Sequence, residues 1–70
     1  MIVLKNRLKE LRAAHGLTQA DLADKVLVSR KTINTVENGV FVPSTILALK
    51  LAAALGCAVE DLFYLGAETG

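Results

Sequence analysis

This 70-residue chain has one proline, one cysteine, no tryptophan and only three aromatic residues, Phe41, Phe63 and Tyr64. Each scarcity narrows what it can be. With Cys57 alone there is no internal disulfide, which fits a reducing cytoplasm. No apolar run approaches the ~18 residues of a membrane helix, so a soluble chain with no membrane partner is expected. Met1-Ile2-Val3-Leu4 is too short for a signal peptide and is followed at once by charge. Chemistry-bearing clusters are also missing. There is no Ser-His-Asp set, no paired-carboxylate site and no phosphate-cradling glycine loop. A chain of this length also has little bulk to enclose a substrate pocket, so it is read as not an enzyme. His15 stands alone beside Gly16, far from Cys57 in sequence, so no metal site and no cofactor is implied. The reading is a helix-end histidine and a buried, inert thiol.

What the chain does have is aliphatic content and divided charge. Hydrophobic residues make up 53 %, chiefly Leu, Ala and Val, and they suffice for one small domain. The net charge of +1 hides a split. Residues 1–31 hold Lys5, Arg7, Lys9, Arg12, Lys25, Arg30 and Lys31 against Glu10, Asp21 and Asp24, a net of +4. Residues 32–70 hold Lys50 against Glu37, Glu60, Asp61 and Glu68, a net of −3. A polyanion prefers the first half, and the second is left for another partner.

Gly16, Gly39, Pro43 and Gly56 punctuate the chain, and the apolar spacing between them is helical. Five helices are expected, with no convincing strand. The first runs from Lys5 to His15, with Leu4, Leu8 and Leu11 on one face. The second follows Thr18 as N-cap, with Asp21 completing a near capping box, and reaches Val26. The third follows Ser29 and ends at Asn38. The fourth is Thr45 to Leu55 after Ser44. The fifth is Val59 to Tyr64, behind the poor cap Ala58. The domain is placed at residues 1–65 and a short flexible tail at residues 66–70.

The stretch from Thr18 to Gly39 carries the function. Two short helices meet at a tight corner. Ala23 allows close crossing, and Leu22, Val26, Val28, Ile33 and Val36 form the shared interior. The opposite face of the third helix shows Arg30, Lys31, Thr32, Asn34, Thr35 and Asn38. It is rich in hydrogen-bonding groups and poor in carboxylates, as a phosphate-lined groove requires. That is the layout of a helix-turn-helix, whose second helix enters the DNA major groove.

The segments LKELRAAHGLTQADLA, VSRKTINTVENG, PS, LALKLAAALG and VEDLF, in this order and spacing, resemble the Cro/repressor-type helix-turn-helix proteins, also called the XRE family. The resemblance runs from about Leu8 to Phe63. It implies an all-α, compact five-helix, lambda-repressor-like DNA-binding domain with helices two and three as the reading pair. By position, Arg30, Lys31 and Thr35 match base-reading residues, and Thr32 and Asn34 flank them. Gln19 matches a phosphate anchor. Asn38 and the backbone after Gly39 match a phosphate-binding loop. Arg12 and Glu37 match a structural pair joining helix one to helix three.

Two departures stand out. Leu27 holds the corner where the family often has glycine. It either adopts a positive φ at a strain of ~1 kcal/mol or makes a side-chain contact that rearranges the corner. Ala58 replaces a Ser-type cap. Helix four is apolar over most of its circumference, and with Phe63, Tyr64 and Leu65 it leaves an apolar surface in a monomer. A homodimer through helix five and its flanks is expected, with Met1-Ile2-Val3 as an extended arm and two recognition helices about 34 Å apart. The leading reading is a repressor of a near-palindromic operator in double-stranded DNA. The alternatives are an antitoxin-like module with a protein partner and the DNA-binding head of a longer ligand-sensing regulator.

Overall fold

The computed structural model describes residues 2–67. Its elements, in chain order, are β1 (Ile2–Asn6), α1 (Leu8–Ala14), α2 (Gln19–Val26), α3 (Arg30–Glu37), α4 (Thr45–Ala54), α5 (Val59–Leu62) and β2 (Phe63–Ala67). Each of the five helices sends a fully buried aliphatic side chain to one core: Leu8, Leu22, Ile33, Leu51 and Leu62. Burying a side chain of that size is worth about 1.5–3 kcal/mol, so no single helix is dispensable to the core.

The helix boundaries follow their caps. Thr18 Oγ1 accepts from the Asp21 N–H at 3.0 Å, and Asp21 Oδ2 accepts from the Thr18 N–H at 2.9 Å, completing a reciprocal box at the start of α2. Ser29 and Ser44 cap α3 and α4 through Thr32 N–H and Leu47 N–H. At α5 only half a box forms. Asp61 Oδ2 accepts from the Ala58 N–H at 3.1 Å, and Ala58 has no oxygen with which to reciprocate.

The chain ends differ from the all-α expectation. Residues 2–6 and 63–67 pair antiparallel, with Leu4 opposite Leu65 and Asn6 opposite Phe63. Lys5 and Asn6 therefore belong to a strand, and α1 starts at Leu8. Leu4 still packs against the core, from β1 and not from the first helix. The last helix stops at Leu62. Phe63 turns to extended backbone (φ −120°, ψ 139°) and its ring is buried, whereas Tyr64 and Leu65 are exposed. Ile2 and Val3 are extended as expected of an arm, but their ladder is with this chain's own β2. Gly66 and Ala67, assigned to the tail, are ladder residues. Residues 68–70 of that tail, and Met1, lie outside the described residues.

Asn6 joins the ribbon to the helices. Its Oδ1 accepts from the Leu8 N–H at 3.0 Å, starting α1, and its Nδ2 donates to the Val36 carbonyl at 3.0 Å. The Arg7 guanidinium lies 5.0 Å from the centroid of the Tyr64 ring, a cation–π contact across the ribbon's root.

Candidate nucleic-acid interface

The α2–α3 corner turns at Leu27, which takes the left-handed conformation (φ 60°, ψ 46°) that Gly supplies without strain. Its side chain is 83 % exposed. The positive-φ alternative therefore holds, and no side-chain contact rearranges the corner. Ala23, Leu22, Val26, Ile33 and Val36 are buried between the two helices as expected, and Val28 is half-buried against the same cluster.

A polar network then fixes α3 against the rest of the domain. Arg12 Nε donates to Glu37 Oε2 at 2.6 Å and Arg12 Nη2 donates to Glu37 Oε1 at 3.2 Å, a two-pronged pair. Arg12 Nη1 donates to the Leu17 carbonyl at 2.8 Å, tying in the α1–α2 loop. Gln19 Nε2 donates both to Glu37 Oε1 at 3.0 Å and to Asn34 Oδ1 at 3.2 Å. The side chains of Arg12 and Glu37 are 14 % and 3 % exposed, so solvent screens the pair little. Glu37's hydrogen bond is the chief reason the Arg12 guanidinium holds its proton more tightly than usual, with partial burial working against it. One of the seven basic residues in the N-terminal half is thus neutralised inside the domain.

The remaining candidates lie along the outer side of α3. Arg30, Lys31, Asn34 and Asn38 are exposed, and Thr32 and Thr35 are half-buried at the flank. Residues 30, 34 and 38, and likewise 31 and 35, stack at successive turns, so these side chains form one strip. Both threonine hydroxyls are engaged locally. Thr32 Oγ1 lies 2.9 Å from Ser29 Oγ, and Thr35 Oγ1 donates to the Thr32 carbonyl at 3.0 Å. Thr35 therefore offers its methyl group and an acceptor outward, with its hydroxyl proton already given away.

Two expected phosphate contacts look different in the structure. Both hydrogens of the Gln19 amide are directed to other side chains, so it ties α2 to α3. What α2 leaves open is its first-turn backbone, where the Gln19 and Ala20 N–H groups have no intrahelical acceptor. After Gly39 (φ 72°) the Val40 and Phe41 N–H groups both donate to the Thr35 carbonyl, at 2.9 and 3.2 Å. They close the helix end, and the Asn38 side-chain amide is the exposed donor of that loop.

Asn6 was missed as a positioning residue because the expected first helix ran through it. The signal was present, since an Asn two residues before a helical leucine is a good capping candidate. His15 is exposed at the end of α1, its Nδ1 2.9 Å from the Leu11 carbonyl. Cys57 is half-buried against the core, and burial first, then Asp61, pushes its thiol pKa up. No three His, Cys, Asp or Glu side chains group to hold a metal among the described residues. Nor is any described helix long and apolar enough to cross a membrane.

A family model described as helix-turn-helix matches residues 8–62. An uncharacterized HTH-type transcriptional regulator of Methanocaldococcus jannaschii is 52 % identical over 60 residues, covering 86 % of this chain and 91 % of that protein. The uncharacterized HTH-type transcriptional regulator YgzD of Bacillus subtilis is 45 % identical over 65 residues, covering 93 % of this chain and 98 % of YgzD. Among solved structures, the restriction-modification controller protein C.AhdI from Aeromonas hydrophila superposes with a TM-score of 0.75 at 40 % identity, covering 79 % of this chain and 83 % of that one. With α2 and α3 packed as a helix-turn-helix and this likeness along most of its length, the chain belongs to the Cro/XRE-type helix-turn-helix family of DNA-binding transcription regulators.

Proposed function

We propose that this DNA-binding regulator is a repressor that occupies a near-palindromic operator as a homodimer, with α3 in the major groove of each half-site. The observation that carries the reading is the exposed strip of α3 held at a fixed angle by the Arg12–Glu37–Gln19 network. Arg30 is assigned to guanine, whose two acceptors fit its fork, and Lys31 to a neighbouring acceptor as a point charge. Thr35 contributes its methyl to a thymine. Asn38, with the first-turn N–H groups of α2, holds phosphates. Thr32 borders the strip, and Gln19 and Asn34 act as a unit. Repression needs only occupancy, which a domain of this size supplies. The dimer reading rests on Ile46, Leu49 and Leu65, aliphatic side chains left exposed on α4 and β2. Two copies about 34 Å apart read successive major grooves on one face of DNA.

The test is fluorescence anisotropy on a random-sequence duplex pool at two salt concentrations, with sequencing of the bound fraction. A near-palindrome is expected to be enriched, with affinity falling about 10³-fold between 50 and 200 mM salt for some six phosphate contacts. Arg30→Ala is expected to relax one position per half-site at a loss of about 1–3 kcal/mol. Weak binding with no enriched sequence refutes the operator reading and directs attention to a protein partner.

A further inference from the structure

The corner hydrogen bonds fix which way the Asn34 amide points. Both Glu37 oxygens already accept from Arg12, so they present acceptors to their other neighbours. The Gln19 amide atom 3.0 Å from Oε1 must then be its nitrogen, because the flipped amide would set two acceptors face to face. The second hydrogen of that nitrogen reaches Asn34 at 3.2 Å, so the Asn34 atom receiving it is Oδ1. A half-buried charge pair thus dictates, through one glutamine, the order of acceptor and donor on an exposed asparagine in the middle of the α3 strip.

We infer that Gln19 is a specificity-determining positioning residue: it fixes the polarity of Asn34, so that one operator position is distinguished from its own reverse. The inference rests on the operator reading above. A base pair and its reverse present the same major-groove donors and acceptors in opposite order. An asparagine that spans the centre of the pair, accepting from adenine N6–H and donating to thymine O4, satisfies the reversed pair as well if it is free to exchange its oxygen and nitrogen. One locked with Oδ1 toward Gln19 satisfies only one of them. Gln19 has no need to touch a base for this effect, and it acts at a single position.

Selection and sequencing with the intact chain and three variants tests the inference, circular dichroism confirming that each is folded. Asn34→Ala is expected to flatten the profile at one position per half-site. Asn34→Asp keeps the shape and the bond from Gln19 but loses the outward donor, and it is expected to flatten the same position. Gln19→Leu is the decisive variant. At that same position, discrimination between the preferred pair and its reverse is expected to fall from about tenfold to about twofold. Positions read by Arg30 and Lys31 keep their preference. If Gln19→Leu weakens every sequence equally and leaves the profile unchanged, Gln19 is a phosphate anchor only and the inference is overturned. An unchanged profile in Asn34→Ala overturns it as well. Failure of the intact chain to enrich any sequence refutes the operator reading itself, and this inference with it.

Discussion

The α2–α3 corner and the surface formed by α4 with the β-ribbon treat their side chains in opposite ways. At the corner, polar groups are paired. Arg12, Glu37, Gln19, Asn34, Thr18 and Asp21 all have partners within 3.2 Å. On the other surface, apolar groups are left without cover, with Ile46 68 % and Leu65 73 % exposed. Orientation is the need at the corner, because a reading helix that swivels loses its contacts, and directional bonds supply it. The α4 and ribbon surface has no such directionality. Non-directional attraction there favours association with another apolar surface and leaves register to shape.

The largest effect is expected where the corner is opened. Glu37→Ala leaves Arg12 largely buried with no counter-charge, and arginine cannot escape by losing its proton. The expected loss is about 3–5 kcal/mol. Against a total stability near the low end of about 5–15 kcal/mol, most molecules would be unfolded or close to it. Thermal melts followed by circular dichroism check this. A loss under ~1 kcal/mol would put the pair with ordinary surface ion pairs, and the corner would no longer stand apart from the rest of the molecule.

Next in size is a change on the opposite surface. Leu65→Lys combined with Ile46→Lys alters two exposed residues, so monomer stability should move by only about 0.5 kcal/mol per site. Self-association should weaken at least tenfold, about 1.4 kcal/mol, because two charges enter an apolar contact. Size-exclusion chromatography with light scattering at tens of micromolar reads the change. Monomer before and after substitution would deny the surface its role in a homodimer, while leaving the corner's role intact.

The same contrast explains what the sequence made legible. The corner is local. Thr18 and Asp21, Ser29 and Thr32, and the i, i+4 strip of α3 announce themselves within a few residues, because caps and helical periodicity are short-range physics. Buried Ala23 and the Arg12–Glu37 pair were also placed correctly, the latter through the family resemblance. The ribbon is not local. Ile2 faces Ala67 across nearly the whole chain, and five residues of β1 are too few to show an alternation that excludes a helical start. Nothing in residues 2–6 names their partner. Phe63 was misjudged for the same reason, since only the end of α5 at Leu62 turns its ring inward. The inward-facing amide of Gln19 was out of reach too, because its donors are used up by residues 15 and 18 positions away.

Leu27 tests the corner from its one strained position. Its left-handed backbone costs about 1–2 kcal/mol relative to a relaxed residue, and its exposed side chain recovers little by packing. Leu27→Gly is expected to stabilise the fold by about 0.5–1 kcal/mol, the relief being offset in part by the greater freedom of glycine in the unfolded chain. Denaturant titration with an unchanged slope is the measurement. A destabilised variant would mean that leucine holds the corner by a contact, and that the angle of α3 depends on it.

The smallest expected effect lies at the start of α2. The Thr18 backbone N–H, then its hydroxyl, hold the Asp21 carboxyl below the usual aspartate range. A carboxyl with a depressed folded pKa adds stability above its unfolded value, ordinarily near 3.9, and that increment disappears as pH falls through the folded value. Melting temperatures should therefore drop more between pH 5 and pH 2 in the parent chain than in Asp21→Asn, whose amide does not titrate. The difference should be small, because the group is fully exposed to water. If both proteins lose the same amount, the Asp21 half of the capping box contributes nothing measurable. The α2 N-terminus would then rest on Thr18 and on Gln19's grip on Glu37, and the corner's advantage over the apolar surface would come from the buried charge alone.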